Sequence, residues 1–359
     1  MLFKDFSAAT KEQWIAQVSK ELKGIDIQQV TRWEFEKDNF VEALLFPNTA
    51  TDFEYLQLLN QANEQAGLVG RIWRNQLVIK VINEQQANAK ALEALNNGVE
   101  ALCFQCDETT NLNVLLQNIL LPYCAVAFEV PRAANFWKNY EAYIKSQNYA
   151  TENIYGSLYS TSQENFIQKQ YPNFKSIVLK TNIALDSPSA QVADLLQQAA
   201  QVIEKNKDTY TAQTIIQQIQ FTVALGNLYF VEIAKLRALR LLFTQLAWNY
   251  GIADYTTQDV DIQAITTLQT GKDVNYSLIS NTTQAMSGII GGANTLTITP
   301  HQTENLEFAE RIARNVSNLL REESYLDKVA TPSNGAYFID QLTDKIAEKA
   351  WGLFILNQK

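Results

Sequence analysis

The 359-residue sequence predicts an α/β fold of the (β/α)8 TIM-barrel class, with an N-terminal helical or extended arm and extra helices after the last strand. Three observations predict it. From Gln65 onward, short apolar runs alternate with longer stretches whose apolar residues recur at helical spacing. Eight such runs fall within roughly 250 residues, the usual span of eight strand–helix units. One unit is complete in Phe221–Phe243, FTVALGNLYFVEIAKLRALRLLF: a short buried strand, a Gly226-Asn227 turn, then a long helix with Tyr229, Ile233 and Leu236 in phase. A doubly wound open sheet is the alternative architecture, since it is built from the same units.

The elements follow in order. Thr10 caps a first helix, with Gln13 at the capping-box position and Trp14, Ile15, Val18 and Leu22 on one face; Gly24 ends it. Ile25, Ile27, Val30, Trp33 and Phe35 then alternate loosely, ahead of a loop containing Pro47. Residues 1–60 are too poor in apolar surface to form a domain and read as an arm. Its aromatic residues, Trp14, Trp33, Phe35, Phe40 and Phe46, must pack on the body or on a partner. Residues 61–359 form the barrel. Strands are expected near Leu77–Val81, Ala101–Cys106, Cys124–Val130, Asn153–Tyr159, Ile177–Ile183, Ile219–Leu225, Ile262–Leu268 and Leu296–Thr299. Helices are expected at Gln86–Asn96, Leu112–Leu120, Asn135–Ser146, Ala190–Glu204, Tyr229–Asn249 and Leu278–Ile289. Glu304–Glu323 and Phe338–Leu356 add two helices, separated by Pro332 and Gly335.

Composition narrows the function classes. The net charge of −9 gives no basic face for nucleic acid. No apolar run reaches the ~18 residues of a membrane span, and the N-terminus has no signal-peptide core. Three cysteines, Cys103, Cys106 and Cys124, make no disulfide framework, which fits a reducing cytoplasm.

Barrel enzymes place their chemistry at the C-terminal ends of the strands. Those ends read Gln105-Cys106-Asp107, Glu129-Val130-Pro131-Arg132, Thr181-Asn182-Ile183, Gly226-Asn227 and Thr299-Pro300-His301, a set poor in acids, bases and nucleophiles. Cys103 and Cys106 are three apart on a strand, so they point to opposite faces and cannot share a metal. His301 is the only histidine and follows the last strand, where Glu304 is near in sequence to orient it; a lone loop histidine still reads as polar surface more readily than as a catalyst. Gly291-Gly292 precedes its strand, at the wrong barrel end for a site, and reads as a tight helix-to-strand turn. Glu232, Lys235, Arg237 and Arg240 lie on an otherwise apolar helix, where fold support is the simpler reading and a subunit contact or phosphate the alternative.

Five blocks in register resemble one family. They are FSAATKEQWIAQVSKELKG (Phe6–Gly24, followed by Trp33), ANAKALEALNNGVEAL (Ala87–Leu102), YFVEIAKLRALRLLF (Tyr229–Phe243), TTQAMSGIIGGANTLTI (Thr282–Ile298) and ARNVSNLLREESYLDKVATPSNGAYFIDQLT (Ala313–Thr343). Together they resemble methylmalonyl-CoA mutase, most closely the small (beta), non-catalytic subunit of the heterodimeric bacterial enzyme. The resemblance implies a barrel that binds acyl-CoA along its axis, and a flavodoxin-like adenosylcobalamin domain bearing Asp-x-His-x-x-Gly, a pattern absent from this sequence. It further implies a histidine after the fifth strand; Ile183 stands at that place. The family's carboxylate-binding arginine also has no counterpart, since no arginine lies between Arg132 and Arg237. The Tyr-Ala-Thr-Met-Tyr-x-x-Arg-Pro segment of catalytic chains is replaced by Gly70–Arg74. The expectation is therefore a chain without catalytic, cofactor-binding or metal-binding residues of its own. It would pair with a catalytic large subunit that holds adenosylcobalamin, using Trp14, Trp33 and Phe46 at the contact. The lumen around Ile183 is expected to be apolar or bulky and free of basic residues. Two other readings share the fold: a barrel subunit of a different acyl-CoA mutase served by a separate cobalamin subunit, and a stand-alone binding or scaffold barrel.

Overall fold

A computed structural model describes residues 9–42, 55–56, 58–59, 72–162, 167–268 and 273–357. The arm begins with α1 (Lys11–Glu21), whose capping box is formed: the Thr10 hydroxyl accepts from the Gln13 amide, and the Gln13 side chain accepts from the Thr10 amide at 2.9 Å. Asp26 caps a second short helix, α2 (Ile27–Thr31), where loose alternation suggested extended chain. β1 (Arg32–Glu36) and β2 (Asn39–Glu42) then pair as an antiparallel hairpin.

The remaining strands are parallel: β3 (Arg74–Lys80), β4 (Ala101–Gln105), β5 (Ala125–Val130), β6 (Gly156–Ser160), β7 (Phe174–Lys175), β8 (Ile177–Lys180), β9 (Ile219–Leu225), β10 (Asp261–Thr266) and β11 (Thr295–Thr297). Their order is β7-β6-β5-β4-β3-β11-β10-β9-β8. Only Ser176 separates β7 from β8, so these are two halves of one bent stave, and the sheet is a nearly closed eight-stave barrel. The bend has a cause. The Ser176 hydroxyl donates to Gln218 Oε1 at 2.9 Å, an oxygen that also accepts from Gln168. Below the bend the stave pairs with β6, above it with β9. Past Ser176, β6 and β8 face each other without a ladder, leaving a slot in the wall.

The helices are α3 (Glu84–Asn96), α4 (Leu112–Leu115), α5 (Ala133–Ser146), α6 (Pro188–Asn206), α7 (Ala212–Gln217), α8 (Tyr229–Asn249), α9 (Val274–Gly291), α10 (Leu306–Glu322) and α11 (Tyr337–Asn357). The helix expected over Leu112–Leu120 stops early, and Asn118 adopts a left-handed φ of 62°. The sequence reading omits α7. Two apolar cores lie outside the staves: one under α3–α5, the other around α6–α9 and α11. In the second, α11 and α6 cover the outer side of α8, so α8 is buried on nearly every face. Gly291 is the last residue of α9, and a Cβ there would lie 3.2 Å from the Ile233 backbone of α8. Gly292, at φ 101°, makes the turn into β11.

The four charges of α8 are buried fold supports. Lys235 pairs with Glu232 at 2.6 Å and donates to Gln191 of α6 and the Ala224 carbonyl. Arg237 pairs with Asp340 of α11 at 2.7 Å. Arg240 donates to the carbonyls of Thr257 (2.6 Å), Val260 (2.7 Å) and Gly292, and to Asn294 Oδ1 (2.6 Å).

One buried carboxylate ties the hairpin to α6, while Asn39 and Glu42 bond to α11. Glu36 accepts from the Ser189 amide at 3.2 Å, the Ser189 hydroxyl at 2.6 Å, the Ser187 hydroxyl and Asn39 at 2.8 Å, at the N-terminus of α6. Burial pushes this carboxyl up, but the hydrogen bonds from Ser187, Ser189 and Asn39 outweigh it and hold it below the usual range. The ionised form is thus favoured by folding. Its contribution is complete above the unfolded pKa of ~4.3 and is lost as pH falls through the lower folded value. Glu36→Gln should lower unfolding stability by about 1–3 kcal/mol at pH 7 in denaturant titrations, with the difference from wild type shrinking below about pH 4. Arg240→Met strands several buried acceptors and should cost about 3–5 kcal/mol, read from the same titrations.

Candidate functional site

The period of two in a strand sends alternate residues into the lumen. Every stave places at least one polar residue in the inward phase: Gln76 on β3, Gln105 on β4, Glu129 on β5, Tyr159 on β6, Lys180 on β8, Thr222 on β9, Gln263 on β10 and Thr297 on β11. Barrel interiors are ordinarily filled by branched apolar layers.

Four of these residues form one layer. Gln76 Oε1 accepts from Gln263 Nε2 and from the Thr297 hydroxyl at 2.9 Å. Gln263 Nε2 also reaches Thr297 at 3.0 Å, and Thr222 donates to Gln263 Oε1 at 3.3 Å. All four are buried and mutually bonded, as buried polar groups require. Above them lies a cavity of about 310 Å³. Its lining includes Thr222, Gln263 and Thr297 but no inward residue beneath them, so this layer is its floor. Its walls are largely apolar, with Val78, Ala127, Val178 and Ile265 among them. Near the strand ends Lys180 Nζ stands 3.4 Å from Glu129 Oε2 and 3.4 Å over the Tyr159 ring. Gln105 donates to the same Glu129 oxygen at 3.4 Å. Burial, with help from Glu129, raises the Tyr159 hydroxyl above its usual pKa. Tyr159, Val178 and Lys180 also line the slot between β6 and β8, a second opening of about 430 Å³ floored by Asp194 and Gln198 of α6.

Two expectations about the lumen are corrected. It contains a basic residue, Lys180, although its walls are largely apolar. Ile183 does not line it: β8 ends at Lys180, and the side chain of Ile183 is 75% exposed in the following loop. Of the other strand-end residues, Gln105, Glu129, Thr299 and Pro300 reach the cavity. Thr181 instead bonds the Thr222 carbonyl, and Asn227 accepts from Ser280 and Gln284. His301 is buried rather than at the surface, edge-on to Phe308 at 6.2 Å, with Nδ1 lacking a hydrogen-bond partner among the described residues. Cys103 faces the lumen and Cys106 the outer core, the opposite orientation that their spacing requires. Trp33 stacks on Phe338 of α11 at 6.2 Å yet remains 37% exposed; Trp14 is half-buried on a helix that buries none of its residues fully. Phe46 lies outside the described residues.

The sequence profile described as methylmalonyl-CoA mutase matches residues 139–356, more than half of the chain. The chain belongs to the methylmalonyl-CoA mutase family. It is 28% identical to a methylmalonyl-CoA mutase small subunit of Porphyromonas gingivalis, over 99% of this chain and 63% of that one. It is 34% identical to the small subunit of Streptomyces virginiae over 38% of this chain and 23% of the relative, and 32% identical to a methylmalonyl-CoA mutase of Rhizobium meliloti over 38% and 20%. The chain thus spans less than two thirds of the length of these relatives. No described helix is long and apolar enough to cross a membrane. Mutases of this family use adenosylcobalamin, and these residues do not fit as its cobalt ligands, because the one histidine is enclosed against Phe308.

The thiols provide a check on the lumen. Burial pushes Cys103, Cys106 and Cys124 each up to about 12. At pH 8 the thiolate fraction falls to about 10⁻⁴, against roughly a quarter for a free thiol. Alkylation by iodoacetamide, followed by mass spectrometry, should therefore be about a thousandfold slower in the folded chain than in urea, Cys103 included.

Proposed function

We propose that this chain is the non-catalytic small subunit of an adenosylcobalamin-dependent methylmalonyl-CoA mutase, in which a catalytic large subunit of the same fold holds substrate and cofactor. The cytoplasmic heterodimer would interconvert methylmalonyl-CoA and succinyl-CoA, with radical chemistry supplied by the cofactor. The observation that carries the reading is the Gln76–Thr222–Gln263–Thr297 layer. An acyl carrier that runs along the barrel axis needs an open axis, and this bonded layer of long side chains narrows it from four adjacent staves. The cup above the layer supports the same reading, for it offers neither an imidazole nor a guanidinium to a thioester and its carboxylate. Lys180, its one cation, already faces Glu129.

The role left to the chain is assembly. In this reading the arm embraces the large subunit, with Trp14, Trp33 and Phe46 at the contact. Aromatic side chains of this kind carry a large share of interface energy. The half-burial of Trp14 and the exposed ring of Trp33 give them surface to offer.

Coexpression with a large-subunit mutase should yield a stable 1:1 complex with mutase activity, and this chain alone should show none. A stable monomer or homodimer that ignores the large subunit would sink the proposal. Trp14→Ala and Trp33→Ala should each weaken the complex about tenfold or more in calorimetric titrations, with unchanged circular dichroism of the free chain.

A further inference from the structure

We propose that the cup above the glutamine layer is a binding site for a small aliphatic α-amino acid in its zwitterionic form. The inference starts from the two charged side chains at this cavity that have only long polar contacts among the described residues. Lys180 Nζ is held over the Tyr159 ring, a contact that fixes the ammonium without saturating its N–H donors. Its approach to Glu129, 3.4 Å, is long for a charge-assisted hydrogen bond, for which 2.7–2.9 Å is usual. Glu129 is in the same condition: its two side-chain contacts, from Lys180 and Gln105, are both 3.4 Å. Glu310, the other charged group at this cavity, is taken by Lys90 at 2.6 Å. The polar floor is bonded to itself.

The ligand class follows from charge and shape. A simple carboxylate at Lys180 would lie beside Glu129 and be repelled by it. A simple amine at Glu129 would meet Lys180 in the same way. An α-amino acid carries both charges on one carbon, so its carboxylate faces Lys180 while its ammonium faces Glu129, and the loose pair becomes two tight ones. The walls, with Val78 and Ile265, then receive an apolar side chain. The cavity, about 310 Å³, is at the small end of ligand sites and closed beneath, which suits a free amino acid and excludes a long carrier. The strand-end mouth and the slot beside Lys180 both give access.

The test is made on the full chain without any partner, so it stands apart from the pairing proposed above. L-leucine is compared with 4-methylpentanoate, which lacks the ammonium, and 3-methylbutylamine, which lacks the carboxylate. The readouts are thermal shift and isothermal titration calorimetry. Leucine should raise Tm and bind at least tenfold more tightly than either analogue. Lys180→Met and Glu129→Gln should each weaken leucine binding tenfold or more. Lys180→Gln serves if the methionine variant does not fold. The absence of leucine binding would overturn the proposal, as would equal binding of 4-methylpentanoate or full binding by the folded Lys180 variant.

Discussion

The structure depends on burying α8, a helix of twenty-one residues that carries four charges into an apolar core. A buried charge is tolerated only with partners; Glu232 pairs with Lys235 within the helix, and the three cations reach different neighbours. Lys235 reaches α6 and the end of β9, Arg237 reaches α11, and Arg240 reaches the residues before β10 and the turn before β11. Satisfying the charges therefore fixes the positions of these five segments relative to α8. Apolar packing alone is non-directional and would leave α8 free to rotate about its axis. Arg240 has the strongest positional demand, since its planar guanidinium must meet several oxygens together.

The polar inner phase has a related consequence. Gln76, Thr222, Gln263 and Thr297 belong to four adjacent strands, and their bonds make a cross-brace at one height of the barrel. This layer stiffens the side of the barrel opposite the β6–β8 slot. The slot itself arises because Ser176 is bonded to Gln218 and turns the stave from one neighbour to the other. One side of the wall is thus continuous and braced, while the other is parted and lined by Lys180 and Tyr159.

Much of the frame was legible in the sequence because helical and strand periodicities are strong where outer faces are apolar. Tyr229–Asn249 and Ile219–Leu225 occupy the spans that their periodicity indicates. The bend at Ser176 and the early end of β8 at Lys180, which leaves Ile183 outside the lumen, were not legible, because such irregularities carry no periodic signal. The lumen departs from expectation for a different reason: Lys180 and Tyr159 lie within their strands rather than after them. The signal was present as alternation: Gln220 and Thr222, Asp261 and Gln263, and Thr295 and Thr297 place polar residues on one phase of strands whose other phase is apolar. Read by phase, those strands announce a polar interior. His301 reads as surface in sequence because a loop position says nothing of what folds over it, here Phe308 of α10.

The same alternation explains how a barrel can keep a family's frame while its interior diverges. Outer-phase residues such as Phe221, Val223 and Leu225 pack against helices, and changing them disturbs the core around α8. Inner-phase residues on the same strands meet only one another and whatever enters the lumen. A strand can therefore exchange its inner set without losing a helix contact, provided the new polar groups satisfy each other. The glutamine–threonine layer meets that condition, because each of its four side chains is bonded to another. Lys180 and Glu129 do not meet it, being too far apart to saturate one another. A fully satisfied layer needs nothing further and acts as structure. The unsaturated pair above it is the part of the interior that still has chemistry to offer.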